Sequence, residues 1–437
     1  AAVFDTAILG SNPSAPAINM FNFNSIKKIK RFFFPFYKNS DLKFVFNILK
    51  KEASNKSKGA MFVGGCVRKH LLSEEIDDID IATSLTTEQI KKIFKGTKFN
   101  VIDSGIKHGT VTLVYKKLKL ELTTLRKDIK TDGRHAEIEY TDDWTKDSER
   151  RDFTINAIYL DINGKIFDPQ LGVSDLKNRN IKFIGDPQKR IQEDYLRIIR
   201  FIRFSLEYEN KAEPTTIEAI KLNLDGINNL SKERILSELF KILSIKEFIK
   251  INNNKNLKDI FSLIFPEIKY LERLNKLEPI INTSSFDKKT LLAILLIDES
   301  NNHEYFSHKY NVSNNLKETL NLLSKNSINA KKNKEFFGKD LKKKIYFFGR
   351  KHLISLNLLF FTINKKLKLR NYLDIFNNIQ KYSIPKFAFN GDYLKEKGMK
   401  EGAVIGKTLK LIESEWVDND FRISNERVQE IIKSQIS

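Results

Sequence analysis

Between residues 41 and 180 the hydrophobic positions switch repeatedly between a two-residue and a 3.6-residue period, and from residue 188 onward only the longer period persists. The first stretch predicts a short helix over 44–53, a strand over 60–63 ending at Gly64-Gly65, and a second strand over 79–82. Residues 86–94 read as a helix capped by Ser84 or Thr86, with Ile90, Ile93 and Phe94 on one side. Short apolar runs at 111–115 and 118–122, separated by Lys116-Lys117, predict a hairpin. A further strand is expected over 155–162, and Asn163-Gly164 marks a tight turn into Ile166-Phe167. Together these make a mixed α/β domain with a small, mostly antiparallel sheet.

After Gly185-Asp186-Pro187 the chain reads as all-α, with clear helical periodicity over 188–206 and 231–243. Asparagine-rich breaks at 252–254, 301–302 and 326–333 separate further helices, and a small C-terminal unit begins near Pro385. Residues 1–40 carry no such pattern and read as an irregular basic leader, with Lys27, Lys28, Lys30 and Arg31 before Phe32-Phe33-Phe34-Pro35.

Composition narrows the function classes. The chain has 437 residues, 41% hydrophobic and 30% charged, so it can bury a sizeable core and is not wholly disordered. No apolar stretch approaches the roughly 20 residues that a bilayer-spanning helix needs. One cysteine, Cys66, rules out an internal disulfide framework and fits a reducing compartment, the cytoplasm. The formal charge is +21, which points to a polyanion as partner. Residues 41–180 are nearly balanced, with 25 basic and 22 acidic side chains, whereas 181–437 hold 46 and 32. That asymmetry predicts chemistry in the first segment and backbone binding in the second. Lysines that merely solvate helix surfaces are the alternative.

Three clusters carry candidate chemistry. The first is Gly64-Gly65 after a strand, followed by Asp78-Ile79-Asp80. Residues i and i+2 of a strand share a face, so Asp78 and Asp80 converge. Two such carboxylates favour a hard divalent cation such as Mg²⁺, and paired glycines let backbone N–H groups approach a triphosphate. This combination suits two-metal phosphoryl transfer and the nucleotidyltransferase fold of the polymerase β superfamily. Glu121, on a neighbouring strand, is either a third carboxylate or an exposed strand glutamate. The second cluster is Arg150-Arg151-Asp152, which can hold phosphate oxygens and a ribose hydroxyl together. The third places Asp194 and Arg197 at i and i+3 of a helix, with Arg200 and Arg203 continuing the row. An Asp beside an Arg can read the amine and ring acceptor that cytosine and adenine share. A plain structural ion pair is the competing reading.

In order and spacing, residues 64–68, 78–83, 150–157 and 193–197 resemble the successive motifs of class II tRNA nucleotidyltransferases, the CCA-adding enzymes and their bacterial poly(A) polymerase relatives. Residues 233–239 are similar to that family's next, structural motif, and 387–416 to the CCA enzymes' tail. The resemblance implies a nucleotidyltransferase head (41–180), helical neck (181–245), body (246–380) and tail (381–437). It implies Asp78 and Asp80 as Mg²⁺ ligands and catalytic residues, with Glu121 beside them. Gly64, Gly65, Arg68, Arg151 and Asp152 would contact nucleotide. Asp194 and Arg197 would template incoming CTP and ATP, with Arg200 and Arg203 completing the pocket. Lys69 stands where the family usually has Asp.

Two further stretches bear on the subtype. Residues 126–147, with Asp132-Gly133-Arg134-His135, resemble the flexible loop that CC-adding enzymes lack, and 105–110 are similar to CCA-adding sequences. The expectation is a template-independent enzyme that adds C, C and A to the tRNA 3′ end, with no membrane role. A poly(A) polymerase, an A-adding or CC-adding relative, and a non-catalytic RNA-binding protein on the same scaffold are the alternatives.

Overall fold

Strand β1 (Ala60–Val63) is buried at every position, and a sheet grows on both of its sides. The computed structural model describes residues 35–53, 59–106, 109–131, 136–210, 212–282 and 286–436. Nearly all of the expected basic leader, Lys107-His108 and Asp132-Gly133-Arg134-His135 therefore lie outside the described residues. The chain divides into two compact units, one up to Arg190 and one from Ile191.

In the first unit the helices are α1 (Ser40–Glu52), α2 (Gly65–Leu71), α3 (Thr87–Phe94), α4 (Trp144–Glu149) and α5 (Gly172–Lys177), followed by α6 (Pro187–Glu193), whose last three residues belong to the second unit. The strands after β1 are β2 (Ile79–Thr83), β3 (Asn100–Gly105), β4 (Thr110–Tyr115), β5 (Leu118–Thr124), β6 (Arg126–Thr131), β7 (Ala136–Tyr140), β8 (Tyr159–Leu160) and β9 (Ile166–Phe167). Seven of them form one sheet in the order β3-β4-β5-β2-β1-β8-β9. Only β2 and β5 pair in parallel, so the sheet is mostly antiparallel as expected. The β6–β7 hairpin stands apart as a two-stranded ladder.

Local chemistry sets the element ends. Asn39 accepts from the N–H groups of Asp41 and Leu42, and α1 then buries Leu42, Val45, Phe46 and Leu49 at helical spacing. Thr86 and Gln89 close a reciprocal capping box on α3. The strand expected over 155–162 shrinks to Tyr159–Leu160, because Thr154–Asn156 turns as a 3₁₀ segment. The Asp152 carboxylate causes this: it accepts from the Phe153 N–H at 2.9 Å and the Asn156 amide at 2.7 Å, which draws the backbone into a turn.

The second unit is helical throughout its described residues. It opens with α7 (Leu196–Glu207), α8 (Pro214–Leu222) and α9 (Lys232–Ile242). Ser231 caps α9, which packs on α7. Longer helices follow, among them Asn314–Lys332, Arg350–Ile363 and Ala403–Asp418. No helix among the described residues is long and apolar enough to cross a membrane.

The single helix expected over 188–206 is in fact two, interrupted at Asp194-Tyr195. Asp194 Oδ1 accepts from the Leu196 N–H at 3.1 Å, so the side chain starts α7 instead of continuing α6. The Tyr195 ring lies over Gly226, where a Cβ would stand only 2.0 Å from ring carbon Cε1. Gly226→Ala must displace that ring, and we expect a loss of about 1–3 kcal/mol in stability. A thermal melt reads it; an unchanged midpoint would contradict the packing.

Candidate active site

Asp80 sits in β2 with its neighbours on both sides defined by register: Val63 of β1 opposite, and Glu121 of the parallel β5 beside it. Asp78 lies just before the strand and is exposed, whereas Asp80 is partly buried. The Asp80 carboxyl is pushed up to about 6, first by burial and then by the negative charges of Glu121 and Asp78, against the pull of Arg151 and Arg68. Three carboxylates therefore act on one another at the interior strands β2 and β5, with two guanidinium groups opposing them. Glu121 also accepts from Lys119 Nζ at 3.1 Å and keeps about half of its surface in solvent.

The glycine pair has a steric role at its first position. Gly64 has φ 74°, in the region that favours glycine, and a Cβ there would stand 3.4 Å from Asp80 Oδ2. Around Gly65 a Cβ would meet nothing within 4 Å, so the space above the first turn of α2 is open. Lys69 of α2 finds an acidic partner of its own: its Nζ lies 2.5 Å from Asp77 Oδ1, and Asp77 also accepts from the Asp78 N–H at 3.0 Å.

The donor set suits a divalent cation. Among the described residues no group of three or more His, Cys, Asp or Glu encloses a cation by itself. A cation bound beside Asp80 would therefore take only part of its coordination from protein. That is the habit of hard ions that keep waters and bind substrate phosphates. Crowded carboxylates, one of them raised by its neighbours, are what such an ion relieves.

The arginines are held from behind. Arg68 is buried and donates to Asn156 Oδ1, whose amide in turn reaches Asp152. Asp152 is thereby placed in a local turn network. Arg151 Nη2 donates to Asp147 Oδ2 at 3.0 Å, and its Nε to the Tyr159 hydroxyl at 3.1 Å. Arg150 Nε donates to Asp147 Oδ1 at 2.8 Å. Burial alone would raise the Asp147 carboxyl, but Arg151 and Arg150 beside it hold it well below the usual range. Sequence reading passed over Asp147, Tyr159 and Asn156 as site residues. The spacing of Asp147, Arg150 and Arg151 at i, i+3 and i+4 of one turn was the available signal for the first. Nothing local marks Tyr159 or Asn156.

In the second unit the expected row on one helix is corrected. Asp194 precedes α7, and its Oδ2 accepts from Arg234 Nη2 of α9 at 2.7 Å. Arg197 Nη1 donates to Glu193 Oε2 at 2.6 Å. The backbone N–H of Arg197 bonds the Asp194 carbonyl at 3.0 Å, so the two remain neighbours across the turn. Arg203 Nε donates to the buried Glu238 at 2.8 Å and its guanidinium packs on the Phe204 ring, while Arg200 lies 3.9 Å from the same carboxylate. These two arginines tie α7 to α9.

A carboxyl raised in the folded state opposes folding once pH exceeds its ordinary value of 3.8, and does so fully above about 6. Asp80→Asn should therefore raise the melting temperature in chelator at pH 7.5, by about 2–4 °C for roughly 1 kcal/mol. A fall would mean that the acidic cluster is not crowded.

With the geometry established, comparison with known proteins identifies the chain. The Poly A polymerase head domain family matches residues 60–182. The chain is 32% identical over 387 residues to the Homo sapiens protein named CCA tRNA nucleotidyltransferase 1, mitochondrial, which covers 85% of each chain. It is 33% identical over 378 residues to the CCA-adding enzyme of Lactococcus lactis, across 83% of this chain and 90% of that one. Its fold is that of the Bacillus stearothermophilus CCA-adding enzyme solved with CTP, at TM-score 0.65 and 24% identity over 91% of this chain and 98% of that one. The Thermotoga maritima CCA-adding enzyme complexed with tRNA gives TM-score 0.58 at 23% identity, over 94% and 98%. At this identity and coverage, the chain belongs to the CCA-adding tRNA nucleotidyltransferase family.

Proposed function

We propose that this nucleotidyltransferase adds C, C and A in turn to the 3′ end of tRNA, taking them from CTP and ATP without a nucleic-acid template. The observation that carries the reading is the charge pattern around Asp80: Glu121 and Asp78 raise its carboxyl while Arg151 and Arg68 oppose them. The negative groups would attract a cation, and the positive groups beside them a triphosphate.

In this reading Asp78 and Asp80, with Glu121 beside them, would hold Mg²⁺. When bound, the ion lowers the repulsion between an attacking oxygen and a phosphate and stabilises departing pyrophosphate charge. The tRNA 3′ oxygen bonds to the α-phosphorus, the bond to the β-phosphate oxygen breaks, and the hydroxyl proton passes to solvent. Arg151 engages the triphosphate, with its bearing set by Asp147 and Tyr159. Gly64 and Gly65 leave the approach clear of side chains.

Base choice is assigned to Asp194 and Arg197. Their acceptor and donors match the edges of cytosine and adenine, and guanine or uracil would leave polar groups unpaired. Arg234 and Glu193 hold the two in place. Arg200 and Arg203 support the helix through Glu238.

The basic surplus after residue 181 would hold the tRNA backbone by shape. We divide that part into neck (181–245), body (246–380) and tail (381–437). The tail division is supported by a separate apolar core of Leu394, Met399, Ile405, Ile412, Val428, Ile431 and Ile432. A single cysteine in the chain fits a reducing compartment, which we read as the cytoplasm.

Two measurements test this. Purified protein with Mg²⁺ and tRNA that lacks its last three nucleotides should incorporate two C and one A. Asp78→Ala or Asp80→Ala should lower that on the order of a thousandfold. Open-ended A addition would favour the poly(A) polymerase reading instead. Asp194→Ala should erode preference for CTP and ATP over UTP and GTP by about 10- to 100-fold, more than it lowers total incorporation. Equal loss with all four triphosphates in a folded variant would count against the base-reading role.

A further inference from the structure

One carboxylate in the first unit is fully enclosed and gathers donors from three directions. Asp147, in α4, has no exposed surface. Its Oδ2 accepts from Arg151 Nη2 at 3.0 Å and from the Tyr159 hydroxyl at 2.7 Å. Its Oδ1 accepts from Arg150 Nε at 2.8 Å and, more weakly, from the backbone N–H of Arg126 at 3.4 Å. Arg126 opens β6 and stands opposite Tyr140, the last residue of β7, so this is the root of the β6–β7 hairpin. Trp144 of the same helix packs with Leu125 and Tyr159 in one buried cluster. At the other end of the network the charge of Arg151 acts on Asp80.

We propose that Asp147 is a positioning residue that couples the hairpin to the triphosphate site: one buried charge sets both the bearing of Arg151 and the root of β6–β7. The argument is one of satisfied donors. With both oxygens engaged, neither guanidinium can rotate without losing a bond to a buried acceptor, and a shift of the hairpin root breaks the weaker bond from the Arg126 N–H. An asparagine keeps the shape but turns an N–H₂ group toward N–H donors and removes the counter-charge. The guanidinium of Arg151 is then released, and so is the strand that begins at Arg126. The inference rests on the reading of Arg151 as a triphosphate ligand given above.

The test compares full-length Asp147→Asn with wild type on tRNA lacking its last three nucleotides. KM and kcat are measured separately for CTP and ATP per folded molecule, together with amide hydrogen exchange over 126–140. KM for both triphosphates should rise about tenfold or more, with a smaller fall in kcat, and hairpin amides should exchange faster. Glu267→Gln, which removes an equally buried carboxylate from Lys309 in the second unit, serves as the stability control. It should lower the melting temperature and leave KM unchanged. Wild-type KM values for Asp147→Asn, at a temperature where it is folded, would overturn the proposal. Raised KM with unchanged hairpin exchange would overturn the coupling. If Asp147→Asn does not fold, Asp147→Glu keeps the charge while moving it by one methylene. It should fold and still raise KM, and a wild-type KM there overturns the proposal equally. A wild-type protein that adds no nucleotide would strike the functional reading instead, and the exchange comparison would still decide the coupling.

Discussion

Like charges held together at the middle of the sheet are the constraint around which the first unit is organised. Asp80 lies in register with Glu121 on a parallel neighbour, and Asp78 adds its charge from just before the same strand. A fold gains nothing from such crowding in water. The sheet tolerates it because Arg68 and Arg151 oppose part of the charge, and because β1 and β2 are anchored through buried Met61, Phe62, Ile81 and Ala82. The apolar core supplies the stability that the acidic cluster gives up, which is the usual division between packing and a functional site.

The arginines show the complementary design. A guanidinium that must meet a phosphate cannot spend all its donors on protein, yet it must not wander. Arg151 is held by Asp147 and Tyr159 behind it, and Arg203 by Glu238 and the Phe204 ring. Buried ion pairs of this kind contribute little net stability, since desolvation offsets most of the attraction. Their value here lies in direction. Lys69 fits the same pattern on a smaller scale: it meets Asp77, whose carboxylate also accepts the Asp78 N–H.

Periodicity over 188–206 is continuous in hydrophobicity, and nothing in it forbids one long helix. Asp194 breaks it by bonding the Leu196 N–H, and Tyr195 fills a place that only a residue without Cβ at position 226 leaves open. The turn that results presents Asp194 to Arg234 and leaves Arg197 with Glu193. A pairing drawn from i, i+3 spacing assumed a helix that tertiary packing had interrupted. The strand expected over 155–162 failed for a similar reason, since Asp152 and Asn156 turned the backbone before the sheet could take it.

What the sequence determined by itself was whatever depends on local spacing and composition. That covers the alternation of strands and helices before residue 180, the helical remainder, the Gly-Gly and Asp-x-Asp pair, the two arginine clusters and the polyanion-seeking charge. What only the tertiary structure decided was which groups face one another across the chain. Glu121 became a neighbour of Asp80 through a parallel pairing that skips two strands in sequence. Tyr159 reached Asp147 from a strand that runs beside β1, and Asn156 reached Arg68 over 88 residues. Periodicity encodes which side of an element is buried; it carries no record of the register or crossover that sets one element against another.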